Sequence, residues 1–350
     1  MVYFNCDYTE GAHPRILEKL AGTNLEQTPG YGRDIYCEQA ARLILQACAA
    51  PEAQVHFLVG GTQANFTVIR WALRAHQGVI APETGHIHVH ETGAVEATGH
   101  KILALPCGIE GKLTAAQVEK AAAEHFAGSM PPVHMVQPKM VYISQSTENG
   151  AVYSLAELEA LHGACQKWGL YLFVDGARMG YGLTAKEADV TLEDMARLCD
   201  AFTIGGTKCG ALFGEAVVLV NPELSEGFGY AVKQNGGMLA KGRLLGLQFL
   251  ELFRDGLYFE ICGRANQLAY QIADACKGAG FTEYAPSPTN QQFFVFPDPV
   301  LRQLEAKYHF SFWEKVDEGR TAVRICTSWA TREENVRALM EDIRVAGSKL

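Results

Sequence analysis

LYLFVDGAR, residues 170–178, is an apolar run that ends in an acid, Asp175, and continues through a glycine turn to Arg178. A run with no polar alternation suits a strand covered on both faces. In open α/β sheets ligands bind beyond the carboxyl ends of such strands, which is where Asp175 falls. A buried carboxylate there needs a cationic partner, because an unpaired buried charge is costly. Two other stretches share this design. AFTIGGTKCGALFGE, 201–215, sets Lys208 in a glycine-rich turn just past an apolar run, with no further charge until Glu215. Desolvation in such a turn lowers the amine's pKa and makes it a nucleophile able to form a Schiff base. VHFLVGGTQANFTVIR, 55–70, runs from a strand through Gly60-Gly61-Thr62 into a helix. Free N–H groups and the positive dipole end at that helix start suit an anion such as phosphate.

Outward from these stretches the chain alternates strand and helix. Strands are expected at 55–59, 79–81, 102–105, 140–144, 170–175, 201–205 and 217–220. Helices are expected at 62–76, 114–124 and 154–168, the last opening on a capping-box pair, Ser154 and Glu157. This alternation predicts an α/β fold: a large domain with a mostly parallel seven-stranded sheet covered by helices on both faces. After about residue 221 the pattern changes. Long helices at 238–253 and 257–278 precede an apolar run at 292–296, a helix at 299–308, a strand at 322–327 and a helix at 332–345. That order predicts a smaller α+β C-terminal domain. The expected divisions are a loop-rich segment at 1–35, a large domain at 36–230 and a small domain with its linking helix at 231–350.

Composition narrows the function. The 350 residues carry a net charge of −9, which disfavours a broad nucleic-acid surface. Mean hydropathy is −0.02, with no run long enough to span a bilayer. The N-terminus lacks a basic region and an apolar core, so a cytoplasmic location is expected. None of the ten cysteines forms a C-x-x-C pair, which fits reduced, mostly buried thiols. The 35 glycines, with only 13 prolines, imply tight turns rather than disorder.

An acid, a nucleophilic lysine and a phosphate cradle at strand ends together match one cofactor, pyridoxal 5'-phosphate. The sequence resembles the threonine aldolase and β-eliminating lyase group of fold-type I pyridoxal-phosphate enzymes, whose large domain is aminotransferase-like. The resemblance runs from about residue 5 to 345. It rests on GGTQAN at 60–65, GHIHVHETGA at 85–94, STENG at 146–150, VDGAR at 174–178, TK at 207–208 and VRICTSW at 323–329. It implies that Lys208 carries the cofactor as a Schiff base, that Asp175 pairs with the pyridine nitrogen and that His86 stacks on the ring. It further implies that Gly61, Thr62 and Thr207 hold the phosphate, while Arg178 and Arg324 receive the substrate carboxylate. Lys241 would help hold the phosphate of a neighbouring subunit's site. The family's N-terminal serine, which helps hold the substrate carboxylate, is replaced here by Cys6, the expected substrate-binding residue at that place, and a second family histidine has no clear match, with His125 and His134 in its region.

The resemblance implies a lyase that cleaves a β-hydroxy-α-amino acid, threonine-like, to glycine and an aldehyde. His86 or an ordered water is the candidate base. It also implies a homodimer or homotetramer with sites at the subunit interface. β-Elimination, transamination and non-catalytic cofactor binding remain open alternatives. Several motifs invite other readings. His86, His88 and His90 would face one way on a strand, as a metal trio would, but no H-E-x-x-H follows, and no metal is expected. Residues 180–185 match G-x-G-x-x-A, but no acid ends the next strand, as a nicotinamide site requires. Cys209 is expected to fill the turn beside Lys208.

Overall fold

The computed structural model describes residues 1–128 and 131–348. Seven strands form one sheet: β1 (Gln54–Leu58), β2 (Gln77–Pro82), β3 (Ile102–Leu105), β4 (Gln137–Ser144), β5 (Tyr171–Asp175), β6 (Ala201–Gly205) and β7 (Glu215–Leu219). Their spatial order is β1-β7-β6-β5-β4-β2-β3. β2 to β6 are parallel, and β7 runs antiparallel to both β6 and β1. The expected mostly parallel seven-stranded sheet is therefore present.

Side-chain alternation explains why these strands read as unbroken apolar runs. Val141, Ile143, Leu172, Val174, Phe202 and Ile204 point to one face and pack under several long helices. These are α1 (Pro14–Gly22), α2 (Ile35–Ala47), α4 (Ala115–Phe126), α5 (Leu155–Trp168), α7 (Arg243–Phe253) and α8 (Leu257–Gly278). Met140, Tyr142, Phe173, Ala201, Val217 and Leu219 point to the other face and meet Ala64, Val68 and Ile69 of α3 (Gly61–Ala72). Because both faces are covered, neither set could be polar. A short helix, α6 (Leu192–Leu198), leads into β6. The predicted capping box at Ser154 forms, with the Glu157 N–H bonded to Ser154 Oγ and the Ser154 N–H to the Glu157 carboxylate. No helix of the described residues is long and apolar enough to cross a membrane.

The C-terminal part is a four-stranded antiparallel sheet in the order β10-β11-β9-β8, from β8 (Thr282–Ala285), β9 (Gln291–Pro297), β10 (Ser311–Asp317) and β11 (Arg320–Cys326). With α9 (Asp298–Glu305), α10 (Glu333–Gly347) and the end of α8, it encloses a third core around Phe294, Phe296, Val323, Ile325, Leu339 and Ile343. β10 escaped the sequence reading because its residues, SFWEKVD, are mostly exposed and carry no apolar run. The opening segment also differs from its expected loop-rich character. It contains the nine-residue α1, started by Pro14 and anchored by fully buried Ile16. Val2–Tyr3 pairs in parallel with Tyr308–His309, tying the N-terminus to the small sheet.

Candidate active site

The carboxyl ends of β4, β5 and β6 open onto a cavity of about 870 Å³. Its walls include Gly60, Gly61, Thr62, His86, Asp175, Arg178, Thr207, Lys208 and Arg324. Residues spread over more than 260 positions thus converge, and nearly every motif singled out in the sequence contributes. Among the residues expected to hold cofactor or substrate, Cys6 and Lys241 do not. Cys6 is buried but does not line the cavity, and Lys241 is exposed on the segment before α7. His125 lies buried in α4 and His134 in a 3-10 turn, and neither lines the cavity.

Asp175 ends β5 as predicted, and its environment holds it ionised. Oδ2 accepts from Tyr142 Oη at 2.7 Å and from Asn65 Nδ2 at 2.8 Å, and Oδ1 accepts from the Ala177 N–H at 2.8 Å. Burial alone would raise its pKa. The His86 charge and these three donors outweigh it and leave the pKa lowered. Three donors and no acceptor leave one lone-pair position on Oδ1 for a further N–H group.

The turn after β6 presents Lys208. The Gly206 and Thr207 N–H groups both donate to Gly214 O, and the Gly214 N–H donates back to Thr207 Oγ1 at 3.0 Å. Gly214 closes this loop at φ +124, in the left-handed region that favours glycine. Tyr181 Oη donates to Lys208 O at 2.6 Å. The amine has no hydrogen-bonded side-chain partner among the described residues. Burial first, then the Arg178 charge, lowers its pKa, as a nucleophilic amine requires. Cys209 is fully buried behind it.

Backbone closeness holds the acid and the lysine loop together. The Gly205 N–H donates to Gly176 O at 2.8 Å, and the Gly176 N–H donates to Thr203 Oγ1 at 2.8 Å. A Cβ on Gly176 would lie 1.9 Å from Thr203 O and 2.6 Å from Met179 Cε. Gly176→Ala is therefore expected to destabilise the fold by about 2–3 kcal/mol through overpacking. A urea midpoint equal to that of the parent would contradict this packing account.

At the α3 start, Gly60 takes the N-cap position without a side-chain cap, and a Cβ at Gly60 or Gly61 would meet nothing within 4 Å. The helix N–H groups there are left for an anion entering the cavity. Arg178 is already engaged: Nε donates to Asp7 Oδ2 at 2.7 Å and Nη2 to Asp7 Oδ1 at 2.9 Å, with Asn290 also donating to Asp7. Arg324, on β11, is braced by Gln291 Oε1 at 3.1 Å and Asn5 O at 2.9 Å, with the Trp313 ring 5.8 Å from its guanidinium carbon.

The histidine run is not a strand. His86–Val89 forms a helical turn after Gly85, and the carboxylate of Glu148 accepts the His86 N–H at 2.9 Å. Residues 86 and 90 are then neighbours, with rings 5.5 Å apart, while His88 points to solvent, so no trio forms. The 180–185 glycines also have a packing use, since a Cβ on Gly180 would meet Cys262 Sγ at 2.5 Å.

The sequence reading passed over Asp7, Asn65, Tyr142 and Glu91, and also the acids Glu148 and Glu215, which line the cavity. Burial raises the pKa of both cavity acids. Asn65, Glu91 and Glu148 sit inside quoted motifs, GGTQAN, GHIHVHETGA and STENG, which was the available signal.

The chain is similar throughout its length to known proteins. The family model described as beta-eliminating lyase matches residues 7–298. The low specificity L-threonine aldolase of Pseudomonas aeruginosa is 29% identical over 98% of this chain and 97% of its own length. That of a Pseudomonas species is 30% identical over 99% and 98%. Among solved structures, the Leishmania major threonine aldolase superposes with a TM-score of 0.96 at 41% identity, covering 99% of this chain and 100% of its own. The Thermus thermophilus aspartate aminotransferase, 16% identical, covers 99% of this chain and 91% of its own at a TM-score of 0.71, a likeness of fold alone.

Proposed function

The chain belongs to the beta-eliminating lyase family, and from that premise we propose that it is a pyridoxal-phosphate-dependent threonine aldolase, cleaving threonine-like β-hydroxy-α-amino acids to glycine and an aldehyde. The observation that carries this reading is the meeting of three groups in one cavity. They are a three-donor carboxylate at a strand end, a desolvated lysine and an uncapped helix start.

These residues fit the cofactor. Lys208 would hold it through its amine, Asp175 would pair with its ring nitrogen, and His86 would lie against the ring. Gly61, Thr62 and Thr207 would receive its phosphate. When bound, pyridoxal phosphate supplies an electron sink that lowers the cost of breaking a bond at the substrate's Cα. The protein's part is to bind, orient and move protons. Arg324, and the part of Arg178 not held by Asp7, orient the substrate carboxylate. His86 takes the β-hydroxyl proton as the Cα–Cβ bond breaks, and Asp175 keeps its negative charge throughout.

The decisive experiment is a substrate panel of threonine, allo-threonine and phenylserine, assayed for glycine plus aldehyde. Pyruvate plus ammonia would instead mean elimination and would overturn the aldolase reading. Arg324→Ala is expected to raise KM for threonine about 100-fold through loss of a charge-assisted grip. Unchanged kinetics would refute its carboxylate role. The same reading has the protein acting as a homodimer or homotetramer, with the exposed Lys241 serving a neighbouring subunit's site.

A further inference from the structure

The stacking histidine and the strand-end acid are joined by two residues that the reaction scheme above leaves unused. Asn65, fully buried on the first turns of α3, directs its Nδ2 to two acids at once: Glu91 Oε1 at 2.8 Å and Asp175 Oδ2 at 2.8 Å. Its own Oδ1 is buried with no hydrogen-bond partner. An amide that leaves its oxygen unpaired while both N–H groups meet carboxylate oxygens is held there for its donors. Turned over, it would set its oxygen against two acceptors.

Glu91 Oε1 also meets His86 Nδ1 at 2.8 Å. That oxygen already receives the Asn65 amide, so it acts as an acceptor, and the hydrogen shared with the imidazole belongs to Nδ1. His86 Nε2 has no hydrogen-bond partner among the described residues, and the ring lines the cavity. A neutral imidazole with its hydrogen on Nδ1 carries its free lone pair on Nε2.

We propose that Asn65 and Glu91 are a positioning pair: they hold His86 with its hydrogen on Nδ1 and its Nε2 lone pair free for a substrate hydroxyl, and they tie the imidazole to Asp175 through one bridging amide. This rests on the reading of His86 as the base. The charged and titratable groups around the ring are Glu91, Asp175, Glu148, Lys208 and His90. Burial pulls the His86 pKa down. The Glu91 hydrogen bond and the charges of Asp175 and Glu91 outweigh burial and the opposing Lys208, leaving it raised. A base with a raised pKa is usable above that pKa and is lost as pH falls through it.

The test is long-range proton–nitrogen NMR of the histidine-labelled holoenzyme, with His86→Asn assigning the signal. The wild-type ring is expected as the Nδ1–H tautomer when neutral. Glu91→Gln keeps an acceptor oxygen but removes a charge, so the tautomer should persist while the imidazole pKa falls by about one unit. The acidic limb of kcat/KM should move down with it. Glu91→Ala should abolish the tautomer preference. A wild-type Nε2–H tautomer, or a Glu91→Gln pKa equal to that of the parent, would overturn the proposal. The tautomer is read independently of catalysis, so a failure of the aldolase assignment and a failure of the positioning pair give different results.

Discussion

Replacing Lys208 by alanine is expected to lower kcat for threonine cleavage by about four orders of magnitude or more. No other lysine lines the cavity among the described residues, so nothing else there can supply an amine for the proposed cofactor. The fold should survive. The lost amine makes no side-chain hydrogen bond among the described residues, and burial with the Arg178 charge, which disfavours its cationic form, outweighs the attraction of Asp7, Asp175 and Glu215. Circular dichroism should therefore match the parent, while absorption by the bound cofactor disappears. A folded variant within tenfold of the parent's kcat would remove Lys208 from the mechanism.

The largest expected stability effect is at Asp7. Asp7 and Arg178 form a two-pronged pair, with Asp7 fully buried and Arg178 nearly so. Asp7→Ala leaves a buried guanidinium without its anion, at an expected cost of about 3–5 kcal/mol in urea unfolding. Asp7→Asn keeps the shape and part of the hydrogen bonding and should cost less. The pH dependence follows from the same pair. Burial alone would raise the Asp7 pKa. The Arg178 charge and hydrogen bonds, with smaller help from Lys208 and Asn290, bring it from 3.8 down to about 2. A depressed folded-state pKa means that the contribution is complete above the unfolded value. It is then lost as pH falls from about 4 toward about 2. That loss is worth roughly 2 kcal/mol in the parent and should be absent in Asp7→Ala. A variant with the parent's midpoint and acid limb would show that the pair adds nothing to stability.

The large sheet was legible because burial on both faces forces long apolar runs, and the turns that follow them carry Asp175 and Lys208 openly. Strands with one exposed face were less legible. β10 is polar over most of its length, yet it contributes Trp313, which braces Arg324. The local structure of the histidine run was not legible for a related reason. Spacing by two fits a strand, but Gly85 and the Glu148 acceptor start a helical turn there instead.

By itself the sequence determined the parallel-sheet fold and the placing of an acid, a lysine and a glycine-led helix start at its strand ends, since these lie within short segments whose chemistry is local. Only the tertiary structure decided what each polar group answers to. Asp7 meets Arg178 across 171 positions, and Asn65 reaches Asp175 across 110. These partners share no spacing along the chain. What brings them together is the rule that a buried charge must find its counter-charge and donors wherever the fold sets them.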